Sequence, residues 1–417
     1  MTNLFPSLGV RILPKLLSVN AYHYRRGGSD VVYLDHAALF ERRGWQNLFF
    51  SMKHPNNLPY QYDHLFAERI DYEYSTGLID RLTAAKRIIY SRDAQRRLSS
   101  LLTNHRVDVA HIHNIYHHLS PSVLVELRRR GIPAVMTAHD LKLACPNYKM
   151  MTSDGICERC KGGRVWNTLI HRCIKGSVAG SALITLESGI HKALGLYDHN
   201  LSAIVTPSRF YQEKLIEWGW KATKLHYIPN FVTVSADVND VSYGDHVLYF
   251  GRLAPEKGVG TLIKAAAAAK VPLVVIGNGP EEAKLRALAD AIAAPVEFRG
   301  FLSGDALWQA VQSCRAVVLP SEWYENAPMS LLEAFARRRP VAGARIGGIP
   351  ELIQPEATGW LFRSGDVMDL AATLQRIMDA PDSVLSEMGR RARIFLDREF
   401  GPELYYNRMT NLYRQLI

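Results

Sequence analysis

At 417 residues the chain exceeds what one ordinary hydrophobic core supports, so two domains are expected. Its apolar fraction of 47% and charged fraction of 22% are those of a globular protein, and no run approaches the roughly 18 uninterrupted apolar residues of a membrane span. A formal charge of +10 favours anionic partners, yet no RNA-binding or helix-turn-helix pattern accompanies it, so nucleic acid is not expected.

In chain order, Met1 to Lys15 scatters apolar residues between Pro6, Arg11 and Pro14. It lacks the positive start and apolar block of a signal peptide, and a cytoplasmic location is expected. A strand over Lys15–Val19 runs into Tyr24-Arg25-Arg26-Gly27-Gly28-Ser29-Asp30, followed by a helix over Val31–Arg43. Paired glycines at such a junction can offer amides to a phosphate or make room for a substrate, and a plain tight turn fits equally well. Between Arg81 and Arg130 ten Lys or Arg face three acids. That bias suits a peripheral contact with an anionic membrane, or simply a solvated basic face.

Further strands are expected over Val107–His113, Ala134–Ala138 and Ala203–Thr206. His111 and His113 share one face of the first, and a strand end facing a cleft accounts for them without metal. His139 and Asp140 close the second, where the imidazole points into a cleft or merely packs. Cys145, Cys157, Cys160 and Cys173 then fall within 29 residues, while Cys314 stands alone. A reducing compartment argues against disulfides, so a structural zinc site, unligated thiols and redox use all remain open. This insert follows His139 closely and could form a lip over the acceptor side of a cleft. An unpatterned stretch, Val232–Gly244, is the expected linker.

The second half alternates strands over His246–Phe250, Leu273–Ile276, Val296–Arg299, Ala316–Leu319 and Pro340–Ala342 with helices over Gly260–Ala269, Glu281–Ala291, Asp305–Gln312 and Ser330–Arg337. This is the βαβ pattern of parallel sheets. Gly251 ends the first strand and sets Arg252 and Lys257 at its carboxyl end, where open α/β sheets bind ligands and two cations can neutralise a diphosphate. Solvated loop cations are the plainer reading. Gly277-Asn278-Gly279 permits close backbone approach but lacks the third glycine of a dinucleotide fingerprint. Glu325 and Glu333 bracket Asn326-Ala327-Pro328, read as a helix start with Pro328 in the first helical position. The amides near Met329 and Ser330 can then face an anion. Eight helical residues rise roughly 12 Å, so the two carboxylates can grip opposite ends of something long, such as a nucleotide-sugar.

Taken together and in order, these segments resemble the retaining glycosyltransferases of family 4. The resemblance runs through Gly27-Gly28, Asp108 to His113, His139-Asp140, Thr206-Pro207-Ser208, Pro229-Asn230, Gly251 to Gly258, Gly277-x-Gly279, Arg299-Gly300, Pro320-Ser321, Glu325/Glu333 and Gly347 to Glu351. It implies the α/β GT-B fold, two Rossmann-like domains facing each other across a cleft. Residues 1–231 would form the acceptor-side domain with a cysteine insert at 144–175, and 232–244 the linker. Residues 245–390 would bind the nucleoside diphosphate sugar, and 391–417 would form a helical segment crossing back. Catalytic roles would fall to Glu325, Arg252, Lys257 and His139. Donor binding would fall to Gly27, Gly28, Gly251, Gly277, Gly279, Asn326, Ala327, Met329, Ser330 and Glu333. The resemblance implies a UDP- or GDP-sugar donor, a lipid-linked glycan acceptor in surface or exopolysaccharide synthesis, and no catalytic cofactor. An epimerase or glycogen-type synthase on the same fold is the enzymatic alternative, and a zinc-bearing nucleic-acid-binding protein the non-enzymatic one.

Overall fold

The computed structural model describes residues 14–69, 78–152, 154–233 and 242–417. Most of the expected linker, 234–241, therefore lies outside the described residues. By internal contacts the chain forms two units. One holds Met1–Thr137, His191–Ala203 and Thr410–Ile417, and the other holds Ala138–Ile190 and Ile204–Met409.

Fourteen strands are described: β1 (Lys15–Val19), β2 (Gln46–Phe50), β3 (Val109–Ile112), β4 (Ala134–Thr137), β5 (Met151–Thr152), β6 (Gly155–Ile156), β7 (Ala203–Thr206), β8 (Leu225–Tyr227), β9 (Val247–Phe250), β10 (Leu273–Ile276), β11 (Val296–Gly300), β12 (Val317–Leu319), β13 (Val341–Ala344) and β14 (Gly359–Phe362). A parallel sheet runs in the order β2-β1-β3-β4-β7-β8 and a second in the order β11-β10-β9-β12-β13-β14; β5 and β6 form a small antiparallel hairpin.

In the second sheet the apolar strands are buried on both faces, as parallel sheets require. Val247 and Tyr249 point to one side, with Leu262, Ile263, Leu370 and Leu374 from the helices Val259–Ala269 and Val367–Asp379. Leu248 and Phe250 point to the other, with Leu331, Phe335, Ala392 and Leu396 from the helices Met329–Ala336 and Asp382–Glu399. That alternation follows from the two-residue period of a strand. The strand order reverses between β9 and β12, and such a switch point is where open α/β sheets bind ligands. The loops leaving these two strands carry Arg252, Lys257 and Glu325.

In the first unit, β1 lies between β2 and β3. The buried His111 shares hydrogen bonds with the Thr137 hydroxyl (2.7 Å from Nε2) and the Tyr413 hydroxyl, which also lies 3.1 Å from His36 Nε2. His111 and His113 are fully buried. They are core histidines, not cleft residues, because β3 is covered on the face they share.

Candidate functional site

The site is built from two loops at the switch point of the second sheet. After β9 the chain turns through Gly251 and a short 3₁₀ turn, Pro255–Lys257. That turn buries the Glu256 side chain while Arg252 stays half-exposed. Arg252 pairs with Glu256 Oε1, and Lys149 Nζ lies 3.1 Å from Oε2. Burial alone would push the Glu256 carboxyl up. Its own backbone amide and the charges of Arg252 and Lys149 outweigh burial and hold it below the ordinary carboxylate range.

After β12, Glu325 is buried with Oε1 accepting from Lys257 Nζ at 2.6 Å and from Ser321 Oγ at 2.7 Å. Burial again pushes its carboxyl up, and the Lys257 charge and these hydrogen bonds bring the net shift down. The Lys257 ammonium also sits 5.1 Å from the centre of the Trp323 ring. Each cation of the loop is thus backed by a buried carboxylate, an arrangement that orients charge before any anion arrives.

Asn326, expected in donor binding, follows Glu325 in the same loop. Both ends of its side-chain amide are engaged within the protein. Nδ2 donates to the carbonyls of Ala138 (2.8 Å) and His139 (3.2 Å), and Oδ1 accepts from Ser208 Oγ at 2.6 Å. Its side chain therefore ties the strand end at 138–139 to the Glu325 loop. Behind that loop lies the Gly347-Gly348 turn. Gly348 N donates to Glu325 O at 2.7 Å, and Gly347 has a left-handed φ of 59° with the Glu325 carbonyl where a Cβ would stand. Glu351, just beyond, accepts from Arg209 N at 2.8 Å and Phe210 N at 2.5 Å at the start of the helix Arg209–Glu217.

The helix after Glu325 starts at Met329. Pro328 is the N-cap residue (φ −67°, ψ 115°), one position earlier than expected, and no side chain caps the helix. Between Glu325 and Glu333 only Met329 to Glu333 is helical, so the helical rise expected between the two carboxylates does not apply across the preceding turn. Ala327, Met329, Ser330 and Glu333 are half-buried. Gly277 and Gly279 serve backbone packing. Gly277 (φ 133°) lies against the Gly251 carbonyl and Gly279 against the Leu253 carbonyl, each where a Cβ would stand. They hold the β10 loop on the β9 loop.

His139 follows β4, and the protein packed around it lowers its imidazole to about 3, which keeps the ring neutral at ordinary pH. In the other unit, Gly27 caps the helix Gly28–Arg42, which begins three residues before the expected Val31. Gly27 has extended backbone (φ −157°), so no tight turn demands glycine there. A Cβ on it would meet only Asp30 Oδ2, at 3.9 Å, and the missing side chain leaves space over the helix start.

The cysteine insert packs on the loops that carry Glu256 and Tyr324. Beyond the Lys149–Glu256 pair, Glu158 Oε1 accepts from the Tyr324 hydroxyl and Lys214 Nζ, both at 3.0 Å. Lys149 is the residue that sequence reasoning missed. Its neighbours Tyr148 and Met150 both adopt left-handed backbone (φ 54° and 47°), an uncommon conformation for such side chains. All five cysteines are free thiols. Among the described residues no group of three or more His, Cys, Asp or Glu is placed to hold a metal ion. The four-thiolate cage suggested by spacing is not assembled in this geometry. Burial pushes the Cys145 thiol up to about 12 and raises those of Cys160 and Cys173.

The two sheets and their switch-point loops define a protein of the GT-B class. The chain belongs to glycosyltransferase family 4: the pattern described as Glycosyltransferase Family 4 matches residues 26–236, and that of Glycosyl transferases group 1 matches 242–395. It is similar to the amylovoran biosynthesis glycosyltransferase AmsK of Erwinia amylovora, with 29% identity over 225 residues, 50% of this chain and 55% of the relative. It is also similar to a GDP-mannose-dependent monoacylated alpha-(1-6)-phosphatidylinositol monomannoside mannosyltransferase of Corynebacterium glutamicum. There the identity is 31% over 172 residues, 39% of this chain and 45% of the relative. The matched stretches thus span about half the length of these curated relatives. Among solved structures, sucrose-phosphate synthase of Thermosynechococcus elongatus shares the fold with a TM-score of 0.69 at 21% identity, covering 97% of this chain and 99% of that one. Anabaena HepE in complex with UDP and glucose does so with a TM-score of 0.67 at 16% identity, covering 96% and 100%. Among the described residues no helix is long and apolar enough to cross a membrane.

Proposed function

We propose that the protein transfers a hexose from a UDP- or GDP-sugar, with retention, to a lipid-linked glycan during surface or extracellular polysaccharide synthesis on the cytoplasmic side of a membrane. The observation that carries this reading is the doubled pairing at the switch point. Two accessible cations, Arg252 and Lys257, are each held by a buried carboxylate, Glu256 and Glu325. Such a pair suits a diphosphate that gains charge as it leaves.

In this reading Arg252 and Lys257 bind the diphosphate and Glu325 accepts from a donor-sugar hydroxyl. Glu333 accepts from the ribose hydroxyls, and neutral His139 hydrogen-bonds the sugar. Backbone amides at Met329 and Ser330, with the loop at Asn326-Ala327, line the donor, and Gly27 and Gly28 give close backbone approach at their own helix start. The anomeric carbon–oxygen bond to the diphosphate breaks as the acceptor hydroxyl bonds to that carbon on the same face. The hydroxyl proton passes to the departing phosphate oxygen. Arg252 and Lys257 then supply the positive charge, and no divalent ion is required. That the Erwinia relative acts in amylovoran biosynthesis and the Corynebacterium one on a phosphatidylinositol mannoside supports a polysaccharide or glycolipid acceptor.

A panel of nucleotide-sugars incubated with the protein and followed by mass spectrometry tests this. Slow hydrolysis of one donor, lost in Lys257→Ala, is the expected result. Absence of both hydrolysis and nucleoside diphosphate binding across the panel would reject the reading.

A further inference from the structure

The segment between β6 and the helix Val178–Ala193 turns large apolar side chains outward. Leu169 N and Ile170 N donate to Trp166 O at 3.0 and 3.2 Å, closing one helical turn. Residues 166, 169 and 170 therefore share a face. That face is open to solvent: Trp166 is 54% exposed, Ile170 65% and the nearby Val178 52%. The opposite side fastens the turn. Thr168 is buried, with its hydroxyl 3.7 Å from Cys160 Sγ and its carbonyl accepting from Cys173 N at 3.0 Å. Folding alone would bury the large side chains and expose the threonine.

The surrounding charge has one sign. From Arg159 to Leu186 there are five cations and no acid. Lys161 is engaged by Glu217 at 3.3 Å. Arg164, Arg172 and Lys175 are exposed, and none of the three pairs with an acid among the described residues. The basic stretch that the sequence singled out behaves differently. There Arg97 is engaged by Asp93 and Glu68, and Arg129 and Arg130 by Glu126.

We propose that this face, with Trp166, Leu169 and Ile170 at its centre and Arg164, Arg172 and Lys175 at its rim, docks on an anionic lipid surface. An indole is amphipathic and suits the depth of the headgroups, the aliphatic pair enters the acyl boundary, and the three cations meet lipid phosphates. A second copy of the chain is a poorer occupant, because a two-fold contact would set the same cations against each other. The proposal does not depend on glycosyl transfer and is read without a donor.

Flotation with phosphatidylcholine vesicles, with and without phosphatidylglycerol, tests it on the full chain. The unaltered protein should float with the anionic vesicles and not with the neutral ones, and added salt should release it. Losing three cations in R164Q/R172Q/K175Q should weaken binding about a hundredfold. W166S/L169S/I170S should weaken it about tenfold or more, with thermal melting unchanged in both variants. Failure of the unaltered protein to float, or equal flotation of the variants, would overturn the proposal. So would conversion of a dimer to a monomer by the triple-serine variant in analytical ultracentrifugation, which would make the face a contact between copies.

Discussion

Lys257 Nζ stands 2.6 Å from Glu325 Oε1, a buried ion pair between residues 68 apart in the chain. The loop after β9 and the loop after β12 meet in this contact, so the cation that would hold a diphosphate is aimed by the carboxylate that would hold the sugar. The sequence places both on a loop or helix start, positions that are ordinarily exposed. Glu325 is in fact buried, with its carboxylate held by Lys257 and Ser321.

That burial shapes the first prediction. Glu325→Gln keeps the side-chain shape and should lower transfer by about 10²–10³ with little change in melting. Lys257→Ala should lower transfer comparably and also destabilise the protein, since it leaves a buried carboxylate without its cation. Steady-state rates and thermal melts on both variants check this. Near-normal turnover in either would remove the pair from the donor site.

Lys149 and Arg252 share the buried Glu256 carboxylate. Lys149→Ala is expected to raise the donor KM several-fold and weaken inhibition by free nucleoside diphosphate, with the acceptor KM unchanged. Glu256→Gln should do the same more strongly, because it frees both cations at once. An effect on the acceptor KM alone would place Lys149 elsewhere in the reaction.

Transfer should persist in excess EDTA, because Arg252 and Lys257 carry the positive charge that a divalent ion would otherwise supply. Rates with and without chelator decide it. Complete loss restored by magnesium would count against the cation pair.

Thiol labelling separates the five cysteines. Cys157 is half-exposed and should react first with a disulfide reagent at mildly alkaline pH. Cys145 and Cys314 should stay unreactive in the folded protein, since both are buried and burial pushes each thiol up to about 12. Joint protection of Cys145, Cys157, Cys160 and Cys173, with about one zinc per chain by metal analysis, would instead show that the insert closes around metal.

Stability should fall as pH drops from neutral towards 4. Burial lowers His23 and His118 to about 4 and His139 to about 3. Below the ordinary histidine pKa of about 6.5 the unfolded chain takes up these protons and the folded one does not, so acid favours unfolding. Above that value the three contribute no pH dependence. Melting temperatures across this range should show the slope, and His118→Gln should flatten it.

Much of this protein was legible from local pattern. The largely apolar runs of β1, β7 and β10 were placed to the residue, because strands buried on both faces are rich in apolar residues. Arg252, Lys257 and Glu325 stood out because a glycine-ended strand and a proline-marked turn signal loops at strand ends. The partly exposed edge strand β2 and the short β8 and β14 carry weaker patterns and were not foreseen. Pairing was the province of tertiary structure. No spacing reveals that Lys257 meets Glu325, that the Asn326 amide is consumed by Ser208 and two carbonyls, or that Lys149 reaches Glu256. Each contact closes a long loop, and its geometry depends on where the switch point brings separate strand ends together. The insert shows the same limit. Its cysteine spacing left zinc, free thiols and redox use open and said nothing of exposure; the fold decided that one helical turn buries Thr168 and leaves Trp166 and Ile170 in solvent, because a residue's exposure depends on what packs beside it.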